Sequence, residues 1–325
     1  MNHSTKLTRR SFLKTTASAA LAAGACNLAG DAFAADKKAR WLVGCRDVHL
    51  KVVDKADGWA ALKQLNADCF EAEVNDELAL SSFTAPGKKY TVATPEGITA
   101  LKADLKTNRR RISAFCMHNK FDQRLDKEIE MSVNLTKAAE RLDVPVIRID
   151  VVPHALKLEE FAPFATKACK RLCDATKGSK VRFGIENHGR ATNDPDLMEQ
   201  ILNGVGSDRL GITLDTANLY WFGHPLDEVY RIYERFAPHA FHTHCKSIRY
   251  PEDKKNVKRE MGWEYGQRCC PVYEGDLDFN RIATILRKAG YAGDLCVEDE
   301  SLGRFPEAER AGILRKEIAF LRKLV

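Results

Sequence analysis

From Trp41 onward, apolar runs of four to six residues alternate with longer segments in which apolar positions recur at helical spacing. Short runs rich in β-branched and aromatic residues read as buried strands, and the longer amphipathic stretches as helices. Strands are predicted at 41–45, 69–74, 111–116, 146–151, 181–185, 210–214, 240–244 and 295–297. Helices are predicted at 58–66, 95–107, 125–142, 158–176, 194–205, 226–236, 278–289 and 307–324. Thr94-Pro95-Glu96 and Asp194-Pro195 put proline at the first helical position behind a capping side chain, which sharpens two of these starts. Eight strand–helix units in one chain of this length predict an α/β fold, a single-domain (β/α)8 barrel. The competing doubly wound open sheet lacks support, because no G-x-G-x-x-G follows the first strand. Two connections, 75–94 and 246–277, are longer than usual and in a barrel would lie on the C-terminal face, where such folds place their chemistry.

Composition then narrows the class. With 44% hydrophobic and 30% charged residues the chain can build a core, which excludes a disordered, collagenous or coiled-coil protein. The net charge is +6, but Lys6, Arg9, Arg10 and Lys14 stand against Asp31 alone in the first 34 residues, so half of it sits there. What is left gives no basic footprint for nucleic acid. Residues Thr8-Arg9-Arg10-Ser11-Phe12-Leu13-Lys14 precede an Ala-rich stretch and an A-x-A site at Ala32-Phe33-Ala34. This segment resembles the bacterial twin-arginine signal peptide, which implies recognition by the twin-arginine export machinery, cleavage after Ala34 and a periplasmic or otherwise exported domain at 35–325. The apolar part is too short and too rich in Ala, Gly and Thr for stable membrane insertion. A lipoprotein anchored through Cys26 is the weaker alternative, since Ala23-Gly24-Ala25 lacks the usual leucine. Beyond Cys26 there are nine cysteines, an odd number with no C-x-x-C pair, so no disulfide framework is expected; the state of the vicinal Cys269-Cys270 stays open.

Candidate chemistry gathers at the strand ends. The fifth predicted strand runs into Glu186-Asn187-His188, the sixth into Asp215-Thr216-Ala217-Asn218, the seventh carries His242-Thr243-His244-Cys245-Lys246, and the eighth runs into Glu298-Asp299-Glu300. The third and fourth add His118-Asn119 and Arg148-x-Asp150. In a barrel these ends converge on one mouth, so Glu186, Asp215, His244 and Glu298 can surround one point. Three carboxylates and an imidazole make a hard site for one divalent metal ion, Mn²⁺ first, with Mg²⁺, Co²⁺ or Zn²⁺ as options.

These motifs, with Ile185-Glu186-Asn187-His188, Leu214-Asp215-Thr216-Ala217-Asn218, His242-x-His244-x-Lys246 and Val297-Glu298, resemble the xylose-isomerase-like TIM-barrel superfamily of sugar phosphate isomerases and epimerases over most of the mature chain. The resemblance implies a metal held by Glu186, Asp215, His244 and Glu298, with the family's H-x-K pattern selecting His244 over His242; His242, two residues earlier, points the same way along the strand and reads instead as a support behind the ligands. It also implies Glu186 and Glu298 as acid and base in proton transfer through an enediolate stabilised by that metal. Lys246 and His188 are candidate donors or proton shuttles, although His188 would equally serve to hold Glu186. His118, Arg148, Asn218 and Trp263 are candidate substrate contacts, with Trp221 and Phe222 as further ring-binding candidates; Arg148 has ion pairing to Asp150 or Glu186 as its alternative. His49, Glu71 and Glu73 are weaker candidates, while His224 and His239 read as structural. The superfamily's endonucleases need a histidine three residues after the strand-six Asp, where this chain has Asn218, so nucleic acid is not an expected partner.

An exported enzyme would meet free or keto sugars more readily than sugar phosphates. The expectation is therefore a metal-dependent sugar isomerase or epimerase with a small carbohydrate substrate; the oligomeric state stays open, with a homo-oligomer as one option because barrels of this superfamily often form dimers or tetramers. A lyase, hydratase or hydrolase of keto-sugar or glycoside derivatives is the alternative chemistry, and a non-catalytic sugar-binding accessory protein the second alternative.

Overall fold

The computed structural model describes residues 40–325. The predicted export signal and Cys26 lie outside the described residues. Seven parallel strands follow in order: β1 (Leu42–Arg46), β2 (Cys69–Glu73), β3 (Arg111–Met117), β4 (Val146–Ile149), β5 (Arg182–Glu186), β6 (Leu210–Asp215) and β7 (Ala240–Cys245). A short antiparallel pair, β8 (Ser247–Ile248) and β9 (Cys269–Cys270), intervenes before β10 (Asp294–Val297). Strand β10 pairs with both β7 and β1, and β1 with β2, so the sheet of eight closes on itself. The helices pack around it, as the pattern of the sequence predicts: the fold is a single-domain (β/α)8 barrel.

Local chemistry accounts for the element starts. Thr94 Oγ1 accepts from the backbone N–H of Gly97 at 3.1 Å, and Asp194 Oδ1 from those of Asp196 and Leu197 at 3.0 and 3.3 Å. Each capping residue is followed by proline at the first helical position. The helix predicted from 125 instead spans Phe121–Leu142, with a kink at Arg124, where the backbone leaves helical angles. The strand predicted to reach 151 stops at Ile149, so Asp150 falls on the loop above β4. The segment 75–94 folds back through bridges between Val74 and Leu80 and between Ala79 and Thr91.

Alternation along the strands sorts side chains into two sets. Phe70, Phe115, Ile147, Ile185, Leu214 and Val297 are buried between the strands and the helices, where the apolar core lies. The opposite face, enclosed by the barrel, carries Arg46, Glu71, Arg148, Glu186, Asp215, His244 and Cys296, whose registers align across neighbouring strands. A typical barrel of this class fills that space with branched aliphatics. One register shift matters for this arrangement: Ile212 pairs with Ala240 but Thr213 with His242, leaving Phe241 as an extra residue on β7. Without that bulge the alternation would turn both histidines outward.

All nine cysteines in the described region are unpaired, and all but Cys270 are buried. At Gly44 on β1 the chains approach so closely that a Cβ would meet the carbonyl oxygen of Cys69 at 2.0 Å. Gly312 lies inside the helix Glu307–Arg322, with nothing within 4 Å of its missing Cβ. Gly44→Ala is expected to destabilise the protein by about 1–3 kcal/mol through overpacking. Gly312→Ala is expected to stabilise it by about 0.5–1 kcal/mol through helix propensity. Urea unfolding of the two variants beside the wild type checks both signs.

Candidate active site

Glu186 closes β5, Asp215 closes β6, His244 lies one residue from the end of β7, and Glu298 follows β10. All four are buried, and one ligand atom from each lies within 4.8 Å of the others. This is the set read from the strand ends. Asp215 and His244 are register partners on adjacent strands, which is why they face each other. Asp215 Oδ1 accepts from the backbone N–H groups of Ala217 and Asn218, each at 2.8 Å, so its carboxylate cannot swing away.

Two features fit a divalent cation at this point. Asp215 Oδ2 is buried and accepts no hydrogen bond of acceptable geometry, although Lys246 Nζ lies 3.0 Å away. His244 turns Nε2 to Glu71 Oε2 at 2.8 Å and Nδ1 to Glu186 Oε1 and Glu298 Oε2 at 3.2 and 3.3 Å. A ring nitrogen set against two carboxylate oxygens is favourable only with a proton or a cation between them. The charge distribution follows the same logic. Burial pushes Asp215 up to about 6 against the pull of Lys246, with Glu298 adding to the rise. Burial would also raise Glu298, but His244, Lys246 and Arg46 hold it well below the usual carboxylate range. Burial disfavours a charged His244, yet Glu298 and Glu71 outweigh it and carry the imidazole up to about 10.

Above the cluster is a cavity of about 350 Å³ lined by Arg46, His118, Arg148, Glu186, His188, Asn218, Trp221, Lys246, Tyr265, Glu298 and Glu300. Lys246 Nζ reaches Glu298 and Glu300, both at 3.1 Å, in addition to Asp215. Arg148 pairs with Asp150 at 2.8 Å and with Glu186, so the ion-pairing reading of this residue holds even though it also lines the cavity. Asn218 Nδ2 donates to the Asn187 carbonyl at 2.9 Å and lies 3.4 Å from Glu186 Oε1. His118 and His188 share the Asp150 carboxylate, at 3.2 and 3.3 Å, and both keep about half their side chains open to the cavity, 52% and 50%. Hydrogen bonds to Asp150, Cys116 and Glu73 push His118 up to about 11. The proposal that His188 holds Glu186 is corrected: its partner is Asp150.

Trp263 is the predicted contact that the structure moves elsewhere. Its ring packs on Tyr250 at 5.7 Å and under the Arg268 guanidinium, outside the cavity lining, and Phe222 packs against His224 instead of lining the site. The aromatic walls are Trp221 and Tyr265, because the chain after β8 turns at Gly262, whose backbone N–H donates to the Trp221 carbonyl. His49 lies in the turn after β1, away from the cavity lining, and burial lowers it to about 4. Arg46 went unnoticed in the sequence. It ends β1 and spans Glu71 at 2.8 Å, Glu298 at 2.6 Å and Glu73 at 3.4 Å. The strand-end rule that found the other residues applies to it equally.

Removing a cation from among buried acids leaves them uncompensated. Arg46→Met is therefore expected to lower stability by about 3–5 kcal/mol, read from urea unfolding in the presence of a chelator.

The sequence profile described as Xylose isomerase-like TIM barrel matches residues 59–324. No curated protein sequence matches significantly. Among solved structures, the IOLI protein with a bound zinc atom is similar at 15% identity and TM-score 0.63, covering 87% of this chain and 98% of that one. A sugar phosphate isomerase/epimerase from Parabacteroides distasonis is similar at 16% identity and TM-score 0.59, covering 90% and 97%. The probable 3-DHS dehydratase AsbF from Bacillus anthracis is similar at 14% identity and TM-score 0.60, covering 86% and 98%. At these identities the structural likeness speaks for the fold, while the profile match over residues 59–324 speaks for descent: the chain belongs to the xylose isomerase-like TIM barrel family.

Proposed function

We propose that the protein is a divalent-metal-dependent sugar isomerase or epimerase that moves a proton at the carbon beside a carbonyl of a free or keto sugar. The observation that carries this reading is the convergence of Glu186, Asp215, His244 and Glu298 on one point at the floor of the cavity. A divalent cation held there would supply Lewis-acid polarisation of a substrate oxygen. Glu186 and Glu298 stand on separate strands, and each has one oxygen gripped by an arginine: Glu186 by Arg148, Glu298 by Arg46. Their remaining oxygens face the cluster, where they would hold the cation, and the two carboxylates line the cavity from different strands, the positions from which one would take a proton and the other return it. Lys246, anchored by three carboxylates, presents an ammonium to a substrate oxygen. Trp221 and Tyr265 offer walls for the apolar face of a sugar ring, and His118 and His188 offer polar edges for its hydroxyls.

The charges support a neutral substrate over a phosphorylated one. Arg46, Arg148 and Lys246 each already contact two or three carboxylates, and His118 contacts two. A phosphate would have to pull these cations from buried acids, which is costly. The cavity is at the small end of the range for ligand sites, about 300–1000 Å³, and suits a monosaccharide unit.

One observation favours the second chemistry, elimination or hydrolysis of a keto-sugar derivative. Tyr265 Oη and Lys246 Nζ both donate to Glu300, so two proton-bearing groups line the cavity, either of which could donate to a leaving oxygen. We also propose that residues 1–34 direct twin-arginine export to the periplasm, a location that accords with an unphosphorylated substrate.

Elemental mass spectrometry of the purified protein is expected to find about one equivalent of divalent metal, lost in the Glu186→Gln/Glu298→Gln double variant. Its affinity should weaken as the pH falls below about 10, because His244 must give up a proton to bind, and the loss should steepen below about 6, where Asp215 must give up one as well. Incubation with free and keto sugars in D₂O should give metal-dependent exchange at the carbon beside the carbonyl, read by NMR; release of water or an alcohol instead would select the second chemistry. No metal uptake, even with added Mn²⁺, would remove the proposal. In cells, replacing Arg9 and Arg10 by lysine is expected to hold the protein in the cytoplasm, as fractionation would show.

A further inference from the structure

Beneath the candidate metal ligands, a file of four side chains runs down the inside of the barrel. His244 Nε2 lies 2.8 Å from Glu71 Oε2, and the same oxygen lies 2.8 Å from His242 Nε2. His242 Nδ1 in turn lies 2.7 Å from Asp294 Oδ1. All four side chains are buried, His242, His244 and Glu71 at 0% exposure. The remaining oxygen of Glu71 accepts from Arg46 Nε at 2.8 Å, so both of its oxygens are engaged. Asp294 is locked as well: its backbone N–H and its carbonyl both bond the Tyr291 hydroxyl, at 2.9 and 2.8 Å.

We propose that Asp294, His242 and Glu71 are positioning residues, a buried buttress that fixes the tautomer and the rotation of His244 so that Nδ1 is its metal-binding nitrogen. The inference rests on the metal-site reading of Glu186, Asp215, His244 and Glu298. It adds a statement about which atom binds and what holds it there. A ligating imidazole is commonly steadied by a carboxylate on its other nitrogen. Here the carboxylate is itself held from below, by a second imidazole whose far nitrogen is held by a second carboxylate. Glu71, on β2, therefore has little freedom to follow any movement of β7, and a shift of the ring of His244 would break the contact at 2.8 Å. The bulge at Phe241 serves the same end, because it puts His242 and His244 on one face. Spending two histidines, two carboxylates and an arginine inside a barrel makes sense only if orientation matters there. Aliphatic side chains would fill the same space without any polar group to satisfy.

The test uses the whole protein labelled with ¹⁵N-histidine and loaded with Zn²⁺, with tautomers read from long-range ¹H–¹⁵N correlations. The expected result is a His244 ring that keeps its proton on Nε2 and binds zinc through Nδ1. Zinc on Nε2 overturns the proposal and needs no variant to do so. In parallel, Co²⁺ affinity by chelator competition and the Co²⁺ absorption spectrum are measured for Glu71→Gln and Asp294→Asn. Glu71→Gln is expected to lose roughly 10–100-fold in affinity and to shift the spectrum. Asp294→Asn, which touches no ligand, is expected to lose affinity in the same direction by less. Variants that melt cooperatively and bind Co²⁺ with unchanged affinity and spectrum overturn the buttress while leaving the metal site intact. Failure of the wild type to bind either ion removes the proposed function and the buttress with it.

Discussion

Three carboxylates gathered around one imidazole repel one another strongly in a water-poor pocket, and the mouth of this barrel is organised by how that repulsion is relieved. Arg148 balances Glu186, Arg46 and Lys246 balance Glu298, and Lys246 reaches across to Asp215. Each cation is shared between acids from different strands. The ion pairs consequently act as lateral ties around the rim, in a region where the barrel has given up the packed aliphatic filling that usually sets its shape.

This arrangement separates the tasks of the two faces of every strand. Outward-facing Val43, Phe70, Ile147, Ile185 and Val297 supply burial and stability, and they do so whatever lies inside. Inward-facing positions are free to carry polar groups as long as each one finds a partner. Most do, and the buried carboxylate oxygen of Asp215 that accepts no hydrogen bond lies where a positive charge would be accommodated.

The fold was legible in the sequence because length and period distinguish strands from helices almost everywhere along the described chain. The four clustered candidate ligands were legible for a related reason: a charged residue that ends an apolar run is conspicuous, and parallel strands bring all such ends to one side. Glu71 and His242 lie within their strands; the two-residue spacing already puts His242 on the side of His244, but its contact with Glu71 across the barrel depends on a register that only the closed sheet reveals. Asp294 opens β10, at a position where the sequence pattern reads as part of the preceding turn. The exchange of Trp263 for Trp221 has a different origin. Both aromatic residues follow strand ends, and the path of the long segment after β7, with its β8–β9 pair and its turn at Gly262, decides which of them faces the cavity. No local pattern encodes that path.

The unpaired cysteines of the described region bear on the reactivity of the barrel. Burial raises the thiols of Cys45, Cys69, Cys169, Cys245 and Cys296, and it carries the partly accessible Cys270 up to about 12. A thiol that does not ionise is a poor nucleophile toward oxidants and disulfides. Burial thus withdraws these thiols from the exchange chemistry of an ionised, accessible thiolate, and among the described cysteines it leaves Cys270 as the one a reagent meets first.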